Sequence, residues 1–148
     1  MDRLRLSERT FNSGHWTQRA KLRKPARQVL MVFVFVEDGR LEVVDTTELA
    51  QQYEPLDVES GVFVFYDEDG TWLEPKFTKP NRHRLGGLAV EQGAFELVRN
   101  SELAATVDPF EVAIGETGVL EPNKYFKSLD EISAYVASKR RSSQQHVD

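Results

Sequence analysis

A short basic segment holds the side chains of this chain that are best suited to binding chemistry. Between residues 76 and 87, two guanidinium groups, one imidazole and two ammonium groups precede a pair of glycines. Arginine binds phosphate or carboxylate through paired hydrogen bonds, and glycine lets backbone N–H groups approach an anion closely. The segment therefore predicts a site for an anion or an acidic partner, formed by Lys79, Arg82, His83, Arg84, Gly86 and Gly87.

The same segment has a simpler interpretation, in which it is a solvated loop whose charges pair with nearby acidic turns. Its glycine pair does not match the pattern of a phosphate-binding loop. No two of the three histidines have the spacing of metal ligands, so His83 stands alone. We leave both interpretations open, and we assign no catalytic residue, no metal and no cofactor to the chain.

A second basic cluster precedes the apolar part of the chain. Residues 1–27 have a net charge of +6, whereas residues 28–148 have a net charge of −11. Lysine and arginine neutralise phosphates and aromatic rings stack on bases, so nucleic-acid binding is an alternative function. The acidic remainder would repel a duplex, which favours an arm that packs on the protein's own acidic face or on a sister subunit. The residues concerned are His15, Trp16, Arg19, Lys21, Arg23, Lys24 and Arg27.

An acidic stretch at residues 67–70 resembles part of a calcium-binding loop. Such a loop has glycine at its sixth position and oxygen ligands at its first and twelfth positions. With Gly70 as the sixth residue, those two positions fall on Phe65 and Lys76, which are not oxygen ligands. A hairpin turn is therefore the better interpretation.

A repeated phrase indicates the elements that position these residues. Residues 32–39 read VFVFVEDG, residues 62–70 read VFVFYDEDG, and a weaker copy, LAVEQG, occupies residues 88–93. Each apolar run is followed by an acidic residue, a variable residue and a glycine, and glycine readily adopts the positive φ of a tight hairpin. The pattern predicts turns at Gly39, Gly70 and Gly93. We attribute the repeat to the small set of residue types that suit buried strands and glycine turns, with duplication as the alternative.

The predicted fold is α+β, with a curved, mainly antiparallel meander sheet of six to eight strands. The apolar run at 29–36 predicts a central strand, at 28–36, that is buried on both faces. Capping boxes predict a short helix at 46–53, with Asp45 as its cap and Glu48 three residues later, and a C-terminal helix on one face of the sheet. The C-terminal helix has Ser128 as its cap and Glu131 three residues later, and it is expected to end near Lys139. Residues 110–120 suggest a fourth hairpin, across a turn at 115–118.

Length and composition place the chain among small single-domain proteins. We expect a partly ordered basic arm at 1–27, one α+β domain at 28–141 and a disordered tail at 142–148. The longest apolar run has eight residues, whereas about 20 are needed to cross a bilayer. The chain has no cysteine, which fits a reducing compartment, so we expect a cytoplasmic location and no membrane partner.

Aromatic residues on the predicted strands suggest a surface for a partner. They outnumber what one helix can cover, and an uncovered apolar patch marks an interface. The alternative is that both faces are covered, by the arm and the C-terminal helix. We favour a non-enzymatic binding protein that engages a protein partner or itself through these aromatics and the basic loop. An anion-binding protein or enzyme using residues 76–87 is the alternative. The aromatics are Phe33, Phe35, Phe63, Phe65, Trp72, Phe77 and Phe95.

Overall fold

The computed structural model describes residues 31–100 and 107–145, and all bounds below refer to them. Its elements alternate irregularly along the chain, with strands dominating the first two thirds. The strands are β1 (Val32–Val36), β2 (Arg40–Val44), β3 (Phe63–Asp67), β4 (Trp72–Lys79), β5 (Arg82–Arg84), β6 (Ala89–Glu91), β7 (Ala94–Asn100) and β8 (Val119–Leu120). The α-helices are α1 (Thr47–Ala50), α2 (Pro55–Glu59), α3 (Pro109–Glu116) and α4 (Leu129–Gln145), and Leu85–Gly87 form a 3₁₀ turn.

Six strands form one sheet in the order β7–β4–β3–β1–β2–β8. All neighbouring pairs are antiparallel except β2 and β8, which are parallel. The prediction of an α+β fold with a mainly antiparallel sheet and a C-terminal helix is confirmed. The connection after β2 departs from a strict meander, because β3 returns to the far side of β1 instead of pairing with β2.

The central strand β1 is fully buried, as its apolar sequence predicts. Its side chains alternate between the two faces of the sheet and enter two separate cores. Phe33 and Phe35 belong to the first core, and Val32 and Val34 belong to the second. The strand therefore links the packing on both sides of the molecule.

The first face of the sheet is covered by α3 and α4. Phe110 of α3 is the centre of this core, since its ring lies 5.5–5.6 Å from the rings of Phe33, Phe35 and Tyr66. Ile132 of α4 is fully buried in the same core. The predicted packing of the C-terminal helix on one face is thus observed, with α3 as a second cover.

The second face is covered by α1 and α2. Ala50 of α1 and Val58 of α2 are buried against Phe65 and neighbouring strand residues. Tyr53 follows α1, and its ring lies 4.7 Å from that of Phe63. Both faces of the central strands therefore have helical covers. The second cover is α1 and α2, whereas the sequence predicted the arm in that place, and the arm lies outside the described residues.

The sheet divides between β3 and β4. These strands share two residue pairs, of which Phe65 with Leu73 is the last. Continuing that register would place Pro75 opposite Phe63, and proline has no N–H to donate to the ladder. Strand β4 instead stays with β7 along its whole length.

The first short helix begins differently from the prediction. Thr46 is its N-cap, and the Thr46 hydroxyl accepts the Leu49 N–H at 3.1 Å. The predicted cap at Asp45 is therefore wrong, because the residue after it occupies the extended cap position and supplies the acceptor. The helix ends at Ala50, and Pro55 stands at the first position of α2. Proline suits that position since its missing N–H has no partner there.

The C-terminal helix has the predicted capping box and continues further. The Glu131 N–H donates to Ser128 Oγ at 3.2 Å, and the Lys127 N–H donates to the Glu131 carboxylate at 2.7 Å. The helix then runs to Gln145 rather than ending near Lys139. Residues 142–145 of the predicted disordered tail are therefore helical, because no glycine or proline interrupts this stretch. The rest of the tail and the arm at 1–27 lie outside the described residues.

The turns at Gly39 and Gly70 are confirmed, but the predicted hairpin at Gly93 is wrong. Gly39 and Gly70 have φ values of +90° and +78° and reverse the chain between paired strands. At Gly93 the chain instead passes tightly against the backbone of Lys79, so that a Cβ there would overlap it. Strand β6 pairs with β5, and β7 pairs with β4. The glycine thus permits a close backbone approach rather than a turn.

The predicted hairpin at 110–120 is also wrong. Residues 109–116 form α3, with Pro109 in its first turn and Asp108 as its cap. The Asp108 carboxylate accepts the Phe110 N–H at 3.1 Å. Strand β8 follows and lies parallel to β2, so it pairs with a distant part of the chain and not with a neighbour in sequence.

Candidate functional site

The predicted basic loop is an antiparallel hairpin, which we call the basic hairpin (residues 82–91). Strands β5 and β6 pair within it, from Arg82 opposite Glu91 to Arg84 opposite Ala89. Arg84 lies 2.8 Å from the Glu91 carboxylate, and Lys79 lies 3.5 Å from the same side chain. Among the described residues, Arg82 has no ion-pair partner. Its charge is thus available to a partner from outside the domain.

The tip of the basic hairpin is apolar, which the sequence analysis did not predict. Leu85 is 77% exposed and Leu88 is 90% exposed. Leu85 has a φ of +55°, which is strained for a leucine, and Gly86 and Gly87 also have positive φ. A Cβ added to either glycine would meet nothing within 4 Å. The tip therefore projects from the body of the protein with two unburied leucines.

The base of the hairpin is held on α2 by side-chain amides. Asn81 donates from Nδ2 to the Pro55 carbonyl at 3.1 Å and accepts the Gly93 N–H at 2.7 Å. On the other side of the base, Gln92 Nε2 donates to the Glu54 carboxylate at 3.0 Å. The exposed tip is therefore carried on an anchored support.

A second cluster lies at the turn between β3 and β4. Asp67 is almost fully buried, and its carboxylate lies 2.9 Å from Arg99 Nε. The same guanidinium lies 2.7 Å from Asp69. Burial, followed by the hydrogen bond and the charge of Asp69, raises the pKa of Asp67 to about 7. For Asp69, burial acts to raise the pKa, but hydrogen bonds with Asp67 and Thr71 outweigh it and lower the pKa of Asp69 to about 2.

Two carboxylates with separated pKa values are also typical of acid–base catalysis. Here the surroundings support a structural role. Glu68 in the same turn accepts the Tyr135 hydroxyl at 2.9 Å. Arg140 donates to the Asp69 carbonyl at 2.7 Å and forms an ion pair with Asp108. The turn is thus held between β7, α3 and α4, and we call it the clasped turn (residues 67–70).

The interpretation of residues 67–70 as a hairpin turn is confirmed, since β3 and β4 pair across it. Within residues 31–100 and 107–145, no group of three or more His, Asp or Glu side chains is arranged to hold a metal ion. None of the three clefts described next is lined by Asp67, Asp69 or Arg99.

Three adjoining clefts surround the start of β3, with volumes of about 360, 400 and 470 Å³. They share lining residues in the range 61–66. The first cleft is lined by α3 and the other two by α2, so they lie on the two sides of the sheet, and we call the three clefts together the acidic groove. Its apolar wall includes Val64 and Val112, which are 37% and 44% exposed. A groove with exposed valines can take up apolar side chains of a partner. Its carboxylates are Glu37, Asp38, Asp57 and Glu116.

Charge in the acidic groove is unbalanced. Asp38 is neutralised by Arg40, whose Nε lies 2.7 Å from its carboxylate. Glu37, Asp57 and Glu116 form no ion pair in the part of the chain that the structure describes. This groove was not predicted from the sequence, because one of its walls is α3, and residues 110–114 of α3 were predicted to be a strand.

The other predicted functional residues fall outside the described ranges. The alternative nucleic-acid cluster, from His15 to Arg27, belongs to residues 1–30 and stays a prediction. Anion binding by the basic hairpin also stays a prediction, although Glu91 already neutralises Lys79 and Arg84. No helix in the described part of the chain is long and apolar enough to cross a membrane.

The arrangement therefore offers an anchored hairpin with an apolar tip and free positive charge, a clasped acidic turn, and an acidic apolar groove. Comparison with known protein families, with curated proteins and with solved structures gives no match to this chain.

Proposed function

We propose that this protein is a non-enzymatic interaction protein that binds a protein partner through the tip of the basic hairpin. The observation that supports this proposal is the exposure of Leu85 and Leu88 on an anchored support. We place the activity in the cytoplasm on the ground of composition alone.

The exposed leucines at the tip of the basic hairpin can supply binding free energy. Burying a leucine side chain contributes roughly 1.5–3 kcal/mol, so two exposed leucines are a substantial source of binding free energy. Leu85 also has an unfavourable backbone conformation, and such strain persists where it serves a local purpose. Neither the exposure nor the strain stabilises the isolated domain. Both favour a tip that is completed by a partner.

The charges at the hairpin indicate the chemistry of that partner. Arg82 and His83 are exposed beside the leucines, and Arg82 is unpaired within the described structure. Arginine is enriched in protein interfaces, where it pairs with carboxylates around an apolar centre. The partner should therefore present an apolar pocket with acidic side chains at its rim.

Site-specific photo-crosslinking tests this proposal on the full chain. A benzophenone side chain replaces Leu88 at the tip, and a matched variant carries it at Val98, which is 43% exposed on β7. We expect a discrete crosslinked product from position 88 in the protein's host cells, and loss of that product when Arg82→Glu is added. Equal labelling from positions 88 and 98, or labelling that Arg82→Glu leaves unchanged, would contradict the proposal.

A further inference from the structure

We propose that the partner of the basic hairpin is the acidic groove of a second copy of this chain, so that two copies exchange hairpins in a dimer. This inference rests on the proposed function and names the partner. It joins two features of the described residues, the exposed apolar tip and the groove whose carboxylates have no ion-pair partner in that part of the chain.

The two surfaces are complementary in charge. The hairpin contributes the exposed guanidinium of Arg82, at the base of its strand pair, which has no ion-pair partner among the described residues. The groove contributes the carboxylates of Glu37, Asp57 and Glu116, which have no ion-pair partner among the described residues. Opposite charges at the rim of an interface guide the two surfaces together and disfavour other partners.

The two surfaces are also complementary in polarity. Leu85 and Leu88 are the most exposed large apolar side chains of the described residues. The groove offers Val64 and Val112 as partly exposed apolar walls, with clefts of about 360–470 Å³. Insertion of the tip would remove apolar surface from water on both copies, which is the main source of association free energy.

The hairpin base and the acidic groove meet at α2. Asn81 anchors the hairpin base on Pro55 at the start of this helix, and Asp57 of the same helix lines the groove. No residue of the basic hairpin lines the groove of its own copy. In the proposed dimer the two-fold axis lies beside α2, and each tip occupies the groove of the other copy. Such a contact is isologous and closes as a dimer, without open-ended growth.

A second copy is favoured over an anionic membrane as the acceptor of the tip. The hairpin lies beside acidic side chains of its own copy, including Glu54 and Glu59, which a negatively charged membrane would repel. Residues 28–148 have a net charge of −11. Binding to the groove of a second copy instead pairs the basic hairpin with an acidic surface.

Charge exchange between two copies tests the dimer. Native mass spectrometry and light scattering, over micromolar concentrations of the full chain, report its mass. One variant carries Arg82→Glu on the hairpin. Another carries Glu37→Lys and Glu116→Lys in the groove, where both side chains are exposed. Arg141→Glu on α4 is the control, with the same charge reversal away from both surfaces, and circular dichroism verifies the fold of every variant.

We expect a dimer for the wild-type chain and for Arg141→Glu. Each reversed variant alone should have a dimer dissociation constant at least ~10-fold higher than that of the wild-type chain. An equal mixture of the two reversed variants should restore a heterodimer, because each hairpin then meets a groove of opposite charge. This rescue would not follow from a merely structural effect of either change.

Three outcomes would overturn the inference. One is a wild-type chain that is monomeric at every concentration, and another is a dimer that neither reversal weakens. The third is a monomer that binds vesicles of phosphatidylserine and phosphatidylcholine through Leu88, since this would assign the tip to a membrane. If the chain is monomeric but crosslinks another protein from position 88 in an Arg82-dependent manner, the inference fails and the proposed function stands.

Discussion

At the scale of single residues, Asp67 sets the pH response of the clasped turn. Its pKa is raised to about 7, mainly by burial and then by Asp69. The folded protein therefore retains a proton that the unfolded chain, with an ordinary aspartate pKa of about 4, has released. Stability from this proton is complete below pH 4 and is lost as the pH rises towards the folded pKa. Asp69 is ionised in both states between pH 5 and 8 and does not alter this trend.

We predict that the wild-type chain loses free energy of unfolding between pH 5 and pH 8 relative to Asp67→Asn, by an amount on the order of 2 kcal/mol. The asparagine keeps the side-chain oxygen that accepts the Asp69 and Thr71 N–H groups, and it does not titrate. Urea denaturation of both proteins at the two pH values measures the difference. Parallel pH profiles would show that Asp67 is ionised throughout this range.

Residue types in the sequence were a partial guide to the candidate interface. The cationic residues of the basic hairpin were predicted as one group because they are close in sequence. Leu85 and Leu88 were overlooked because an apolar residue in a loop gives no sign of whether it is buried. Their importance follows from exposure, which depends on how Asn81 and Gln92 anchor the hairpin base on residues far away in the chain.

At the scale of elements, the β3–β4 turn depends on Gly70 for two reasons. Its φ is +78°, and a Cβ there would overlap the Arg140 guanidinium and lie 3.0 Å from Val136 Cγ1. Gly61, just after α2, has a φ of +80° but has nothing within 4 Å of a built Cβ. A substitution at Gly61 would therefore introduce backbone strain alone, whereas one at Gly70 would introduce both backbone strain and steric overlap with α4.

Gly70→Ala is predicted to destabilise the protein more than Gly61→Ala does. Alanine at positive φ costs roughly 1–3 kcal/mol at either position, whereas only Gly70→Ala must also displace Arg140 from the turn. Thermal and urea unfolding of both variants give the comparison. Equal losses of stability would mean that α4 moves away from the turn at no cost.

Element boundaries were predictable where one signal acted alone. Glycine after an apolar run placed the turns at Gly39 and Gly70, and a capping box placed the start of α4. The helix α3 was missed because its apolar residues Phe110, Val112 and Ile114 alternate like a strand over a short span. A cap and proline at Asp108 and Pro109 are a helix signal that competes with this alternation, and it would have identified α3.

At the scale of the whole molecule, β1 couples two cores that share no helix. Phe33 and Phe35 pack under α3 and α4, while Val32 and Val34 pack under α1 and α2. Losing either cover exposes one side of the same strand. The two faces should therefore unfold together, although their helices are separate in sequence and in space.

We predict that Val136→Ala in the first core and Val58→Ala in the second both lower the midpoint of one common transition. Each should reduce the free energy of unfolding by roughly 1–3 kcal/mol. Circular dichroism and fluorescence, followed in the same urea titration, should give coincident curves for both variants. Separate transitions by the two probes would mean that the faces are independent units.

The order of strands in the sheet could not be predicted, because local turn signals do not report pairings between distant segments. Strand β8 joins β2 through parallel pairing, and β3 crosses to the outer side of β1. The α+β class was predictable from the turns and the terminal helix, whereas the short pairing of β3 with β4 beside Pro75 required the three-dimensional register.

The central position of β1 has a consequence for synthesis on the ribosome. Residues 32–36 leave the exit tunnel long before Phe110 and Ile132, which later cover one side of the strand. An uncharged run of valine and phenylalanine is the type of segment that stacks with copies of itself when it is unprotected. The nascent chain thus passes through a period in which residues 32–36 lack this later cover and are a target for chaperones.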